Sequence, residues 1–192
     1  DILDVNTLIG LMADMGVKVE RPAPNTVVLQ ADEVNPDFFI DKNFKKKSGK
    51  LRGAVMIAGP MLARFGRAHI PQPGGDKIGR RRLDTHIRGF ESLGAKFQYD
   101  PEESLFMLDG ENMKGANILM EEPSVTGTAN IAMAACMAPG ITTIYNAACE
   151  PYVQQLCKML NNMGARISGI GSNLLVIEGV EELRGCTHRL LA

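Results

Sequence analysis

One pattern occurs three times along these 192 residues: LIGLMADMGVKVE at 8–20, HIRGFESLGAKFQ at 86–98 and LCKMLNNMGARIS at 156–168. In each copy apolar residues recur at helical spacing: Ile9, Met12 and Met15; Ile87, Phe90 and Leu93; Leu156, Met159, Leu160 and Met163. A glycine follows (Gly16, Gly94 or Gly164) where a left-handed cap ends a helix. A short run such as Val17-Lys18-Val19, a polar turn and a second β-rich run come next: TVVLQ at 26–30, SLFMLDG at 104–110 and NLLVIEG at 173–179, which predicts hairpins. The glycines stand 78 and 70 residues apart, too far for a solenoid. The expectation is therefore a domain assembled from a few copies of one α/β unit.

A further helix and strand lie between copies: Leu51 to Phe65 before Gly66-Arg67-Ala68-His69-Ile70, and Thr128 to Ala138 before Gly140-Ile141-Thr142-Thr143-Ile144. The second helix is apolar or small on nearly every face (Ala129, Ile131, Ala132, Met133, Ala134, Ala135, Cys136, Met137), which predicts a helix enclosed by other elements, with strands outside. Asp76 stands ten residues after Gly66, and Glu150 ten after Gly140, so the two acids occupy equivalent places. The unit holding Asp76 carries four extra residues before its helix, about one helical turn of chain, and they belong to a glycine-rich basic loop. The chain opens almost inside its first copy, and the expectation is an excised or trimmed domain, one partial and two fuller repeats across 1–192.

With 45% hydrophobic residues the chain can bury a substantial core. Twenty-one basic residues against twenty-two acidic ones leave a net charge of −1, so the overall balance calls for neither nucleic acid nor an anionic membrane as partner. No run approaches the ~20 apolar residues of a membrane span, and no leader opens the sequence, which makes a cytoplasmic location the expectation. Cys136, Cys149, Cys157 and Cys186 form no CxxC pair, and three of them sit in apolar surroundings expected to bury them. Neither a metal site, a cofactor nor a disulfide framework is predicted.

The chemistry gathers in Pro71 to Arg82, which places three glycines, one acid and the cations Lys77, Arg80, Arg81 and Arg82 in twelve residues. Glycines let backbone amides approach a ligand, and the cations offer fixed charge for phosphate or carboxylate. A solvated basic loop is the bland alternative. No Gly-Lys-Ser/Thr ends it, so it is not a P-loop, and it lacks the aromatic residues that single-stranded nucleic acid requires. Asp84 falls at a helix start, where it reads first as an N-cap with one oxygen left for a donor such as a base N–H. His86 reads as a packing residue. Glu122-Pro123-Ser124-Val125-Thr126-Gly127-Thr128 precedes the apolar helix, and Ser124, Thr126 and the free amides there either hold a phosphate or merely cap it. KNFKKKSGK at 42–50 reads as an exposed connection, with Arg52 entering the helix beyond it.

At GPMLARFGRAHIPQPGGDKIGRRRLDTHIRGFESLGAK (59–96), ANILMEEPSVTGTANIAMAA (116–135), TTIYNAACEP, MGARISGIG and LLVIEGVEEL the sequence resembles the UDP-N-acetylglucosamine enolpyruvyl transferase family over essentially its whole length. The resemblance implies an inside-out α/β barrel domain with helices within, one of two domains built from six such units. A second domain, and an upstream Lys-Asn pair that contacts phosphoenolpyruvate, would lie outside this chain, leaving the fragment inactive alone. It implies transfer of an enolpyruvyl group from phosphoenolpyruvate to the 3-hydroxyl of UDP-N-acetylglucosamine, the first committed step of peptidoglycan precursor synthesis.

Carried over by position, Arg81 bridges the two substrates, Arg82, Leu83, Asp84 and Thr85 form the uridine turn, and Arg52 lies near both substrates. Ser124, Val125 and Thr126 match the diphosphate turn, and Glu150 matches a supporting glutamate. This sequence departs from the family at three places: Arg82 replaces a common proline, Glu122 a common lysine at the diphosphate, and Asp76 the usual reactive cysteine. Asp76 is then the expected catalytic acid, in a fosfomycin-insensitive variant. Two alternatives stand beside this reading: a 5-enolpyruvylshikimate-3-phosphate synthase-like transferase, and a non-catalytic anion-binding domain of the same fold.

Overall fold

A computed structural model describes residues 2–38, 42–71 and 83–191. Helices α1 (Leu3–Asp14), α4 (Asp84–Ser92) and α6 (Pro151–Asn162) are those of the threefold pattern. Each ends in the same way. The glycine after the cap residue takes φ of 99° at Gly16, 98° at Gly94 and 107° at Gly164. Its amide donates three residues back, to Ala13, Glu91 or Asn161, and the next amide reaches five back, from Val17 to Met12, Ala95 to Phe90 and Ala165 to Leu160. These are three Schellman motifs, and the positive φ is what requires glycine. In each copy the cap residue's carbonyl then accepts from a later segment: Met15 from Asn35, Leu93 from Lys114, Met163 from Arg184.

The strands that follow are β1 (Lys18–Ala23) with β2 (Thr26–Gln30), β4 (Lys96–Asp100) with β5 (Leu105–Asp109), and β8 (Arg166–Ser168) with β9 (Leu174–Glu178). β1 and β2 pair antiparallel by themselves, β3 (Arg67–Pro71) joins the second pair in the order β3-β5-β4, and the third sheet runs β6-β7-β9-β8, with β6 at Asn117–Leu119 and β7 at Ile141–Tyr145. β6 is parallel to β7, and β9 is antiparallel to both β7 and β8. The amide of Gly110 donates to the Gly66 carbonyl and that of Gly179 to the Gly140 carbonyl, so the intervening helices and strands also share one register.

The described residues fall into two compact units, one drawn from Asp1–Val55, His69–Gly79 and Gln98–Met107, the other from Met56–Ala68, Arg80–Phe97 and Leu108–Ala192. In the first, Leu11, Met15, Val17, Phe44 and Leu51 form the core. In the second, α5 (Val125–Ala135) packs against α3 (Ala58–Phe65), α4 and α6, with residues 127–132, 134 and 135 buried. Ile118, Ile144, Leu175, Ile177 and Ile167 supply the buried face of the four-stranded sheet. Within this unit the helices thus lie inside and the strands outside, as the apolar helix predicts. Glycines set the helix spacing: a Cβ on Gly89 would stand 2.2 Å from Cδ1 of Ile131, and one on Gly59 would stand 2.4 Å from the carbonyl oxygen of Asn130.

Four local expectations are corrected. Residues 42–50 are no open connection, because Lys42–Ser48 form α2, whose Phe44 is 1% exposed and meets Phe38 edge-on at 5.6 Å. The helix expected over Leu51 to Phe65 is a 3-10 stretch at Arg52–Ile57 followed by α3. The break falls beside the Gly59 amide, which donates to Asn130 Oδ1 at 2.7 Å. The apolar helix begins at Val125, three residues earlier than the apolar run alone marks, because Ser124 caps it. Two cysteines are buried, not three: Cys136 and Cys157 are, whereas Cys149 and Cys186 are exposed.

Candidate functional site

α5 begins at a serine because Ser124 holds an extended backbone (φ −71°, ψ 120°) while its Oγ accepts from the Gly127 amide at 3.2 Å. The Thr128 amide then makes the first helical bond, to the Ser124 carbonyl at 2.8 Å. Helix geometry therefore leaves the amides of Val125 and Thr126 without partners inside the helix, at the positive end of an eleven-residue dipole. That is a place for an anion. Ser124 and Val125 are half-buried and Thr126 is exposed.

The start of α4 lies against this point. Leu83 occupies the N-cap position with no side-chain cap, and Asp84 is the first helical residue, so Asp84 is not the N-cap that the sequence pattern favoured. Thr85 Oγ1 donates to Glu122 Oε1 at 3.3 Å. Its methyl also closes on α5, since Thr85 Cγ2 is 3.1 Å from where a Cβ on Gly127 would stand. His86, 4% exposed, has Nε2 3.2 Å from Thr126 Oγ1 and Nδ1 3.1 Å from Asn130 Nδ2. One helical turn on, Arg88 pairs with Glu121 beside a shallow depression lined by Thr85, Arg88, Gly89, Ile118 and Met120.

Five of the residues singled out in sequence thus meet around the start of α5: Thr85, Glu122, Ser124, Val125 and Thr126. Leu83 and Asp84 immediately precede Thr85. Arg52, half-buried, opens the 3-10 stretch and belongs to the other unit. Asp76, Arg81 and Arg82 lie outside the described residues. Glu150 is the N-cap residue of α6 without a side-chain cap bond, and its Oε2 is buried with no hydrogen-bond partner. Among the described residues no group of three or more His, Cys, Asp or Glu side chains is placed to hold a metal, and no helix is long and apolar enough to cross a membrane.

Sequence reasoning passed over Asn130 and Thr128. Both are fully buried on α5, Thr128 accepting from the Ala148 amide at 2.9 Å and Asn130 linking Gly59 to His86. Their signal was present, since a buried polar side chain in an otherwise apolar helix must find partners.

The family model described as EPSP synthase (3-phosphoshikimate 1-carboxyvinyltransferase) matches residues 1–192. Proteins named UDP-N-acetylglucosamine 1-carboxyvinyltransferase are similar over the whole chain: 59% identical in Porphyromonas gingivalis and 60% in Bacteroides fragilis, each over 191 residues, 100% of this chain and 44% of theirs. The Treponema denticola protein of that name is 45% identical over 99% of this chain and 43% of its own. The chain therefore spans under half the length of the curated relatives it matches. Among solved structures, the EPSP synthase of Acinetobacter baumannii superposes with a TM-score of 0.67 at 19% identity, covering 94% of this chain and 40% of that one. The enolpyruvyl transferase NikO of Streptomyces tendae gives 0.66 at 14% identity, over 94% and 41%. At such identities these two establish the fold alone.

Proposed function

The chain belongs to the EPSP synthase family of carboxyvinyltransferases, and on that premise we propose that it forms part of an enzyme that transfers the enolpyruvyl group of phosphoenolpyruvate to the 3-hydroxyl of UDP-N-acetylglucosamine. The observation that carries the reading is the meeting of Thr85, Glu122, Ser124 and Thr126 at the start of α5. Its weight comes from the 58–60% identity, over the full chain, to transferases named for that sugar nucleotide.

In this reading the chain is most of one domain, and the remainder of the protein supplies the second. The amides of Val125 and Thr126 take the diphosphate, and Ser124 holds them in place. Asp84 accepts a base N–H while Leu83, Thr85 and Arg82 frame the uridine. Arg81 bridges the substrates, and Arg52 adds charge near them. Glu122 is engaged by Thr85, which turns a carboxylate that would repel the diphosphate toward a neutral hydroxyl. The sugar 3-hydroxyl gives up its proton to a base carried by the second domain, its oxygen bonds to C2 of phosphoenolpyruvate, and a proton reaches C3. Loss of phosphate and of a proton from that methyl carbon then restores the double bond. Both substrates are cytoplasmic metabolites, and the product feeds peptidoglycan assembly, hence cell shape and division.

Asp76 is the proton donor in this reading. Phosphate release by the full-length protein with both substrates tests this. Asp76→Asn is expected to cut kcat by roughly a hundredfold or more, and Asp76→Cys to bring alkylation by fosfomycin; turnover unchanged in Asp76→Asn would remove the acid role.

A further inference from the structure

We propose that His86 and Asn130 are positioning residues of the sugar-nucleotide site, fixing through a buried chain of hydrogen bonds the direction in which the Thr126 hydroxyl offers its proton to a phosphate oxygen. This rests on the function proposed above. The chain begins at the Gly59 amide, which can only donate, and which lies 2.7 Å from Asn130 Oδ1. That contact settles which way the Asn130 amide faces, because the reverse orientation would set its NH2 group against a buried N–H.

With Oδ1 on Gly59, the Asn130 Nδ2 points at His86 Nδ1, 3.1 Å away. Nδ2 only donates, so Nδ1 must accept, and the single ring hydrogen of neutral His86 sits on Nε2. Nε2 lies 3.2 Å from Thr126 Oγ1. The threonine oxygen therefore receives a hydrogen bond from the ring, and its own hydrogen is directed away from it.

Three consequences follow at the start of α5. Thr126 is the exposed member of the chain, while His86 and Asn130 are 4% and 0% exposed. Its hydroxyl hydrogen joins the unpaired amides of Val125 and Thr126 as a third neutral donor beside one point. An imidazolium at His86 is opposed, since a hydrogen on Nδ1 would face the Asn130 NH2 group. The site therefore meets the diphosphate with a preorganised hydroxyl, not with a charged histidine, and Asn130 acts from one helical turn inside α5 without touching the ligand.

Two measurements on the full-length enzyme decide the matter. Long-range proton–nitrogen correlations of 15N-histidine-labelled protein at neutral pH, with His86 assigned by its loss in His86→Gln, are expected to show the Nε2–H tautomer. The Nδ1–H tautomer or an imidazolium would overturn the proposal. In steady-state kinetics Thr126→Val is expected to raise KM for UDP-N-acetylglucosamine roughly tenfold, in the range of one hydrogen bond to a charged oxygen, while KM for phosphoenolpyruvate holds and Thr126→Ser restores the wild-type value. His86→Gln should raise the same KM in the wild-type background but not in the Thr126→Val background. An unchanged KM in Thr126→Val, or His86→Gln effects that add, would sink the chain while leaving the proposed function standing. Absence of any turnover of UDP-N-acetylglucosamine by the wild-type enzyme would instead remove the proposed function, and the tautomer would still decide the hydrogen-bond chain.

Discussion

The thiols of Cys136 and Cys157 are both buried. Burial pushes the Cys136 thiol up from 9.0 to about 12, with the neighbouring Cys157 adding to it, and burial alone takes Cys157 to about 11. Raised folded values mean that stability drawn from these neutral thiols is fully present below pH 9.0 and is lost as pH climbs through about 11 and 12. At pH 8 iodoacetamide should label Cys149 and Cys186 in native protein and reach Cys136 and Cys157 only after urea, as read by peptide mass mapping. Native labelling of Cys136 would contradict the packing of α5 against α6. The sequence marked this helix as enclosed from its run of alanines, but it could not tell that Cys149 and Cys186 face outward. Both stand beyond the periodic helical segments, where spacing carries no burial information.

The three helix ends show how far a local pattern reaches at the scale of one element. Gly16, Gly94 and Gly164 were legible because a Schellman cap leaves a glycine at a fixed offset from apolar helical positions. Their surroundings were not legible. A Cβ on Gly164 meets nothing within 4 Å, whereas one on Gly16 would stand 2.6 Å from the Glu33 carbonyl oxygen. Gly164→Ala should then cost only the left-handed backbone, about 1–2 kcal/mol, and Gly16→Ala should cost more because rigid backbone must move. Urea unfolding midpoints of the two variants check the order; equal losses would mean that the Glu33 contact yields freely. α2 was misread for a related reason. Its lysines hide the fact that Phe44 faces inward, and one aromatic residue in seven gives no period to detect. The break before α3 has no local signal, and the side chain that meets its Gly59 amide, Asn130, lies 71 residues away in sequence.

At the scale of the whole molecule, the repeated units and the helices-inside arrangement could be read from the sequence. The joining of the starts of α4 and α5 was implied by the family resemblance and by no local pattern, since Thr85 and Glu122 meet across 37 residues and His86 and Asn130 across 44. The chain covers 44% of the length of relatives such as the Porphyromonas gingivalis protein. In the proposed reaction its contribution is the start of α5 with the start of α4 beside it. Hydrogen–deuterium exchange of the full-length protein with UDP-N-acetylglucosamine, and separately with shikimate 3-phosphate, tests that contribution most directly. Peptides covering 83–88 and 122–128 are expected to gain protection with the sugar nucleotide and none with shikimate 3-phosphate. Protection elsewhere only, or protection of these peptides by shikimate 3-phosphate instead, would contradict the assignment.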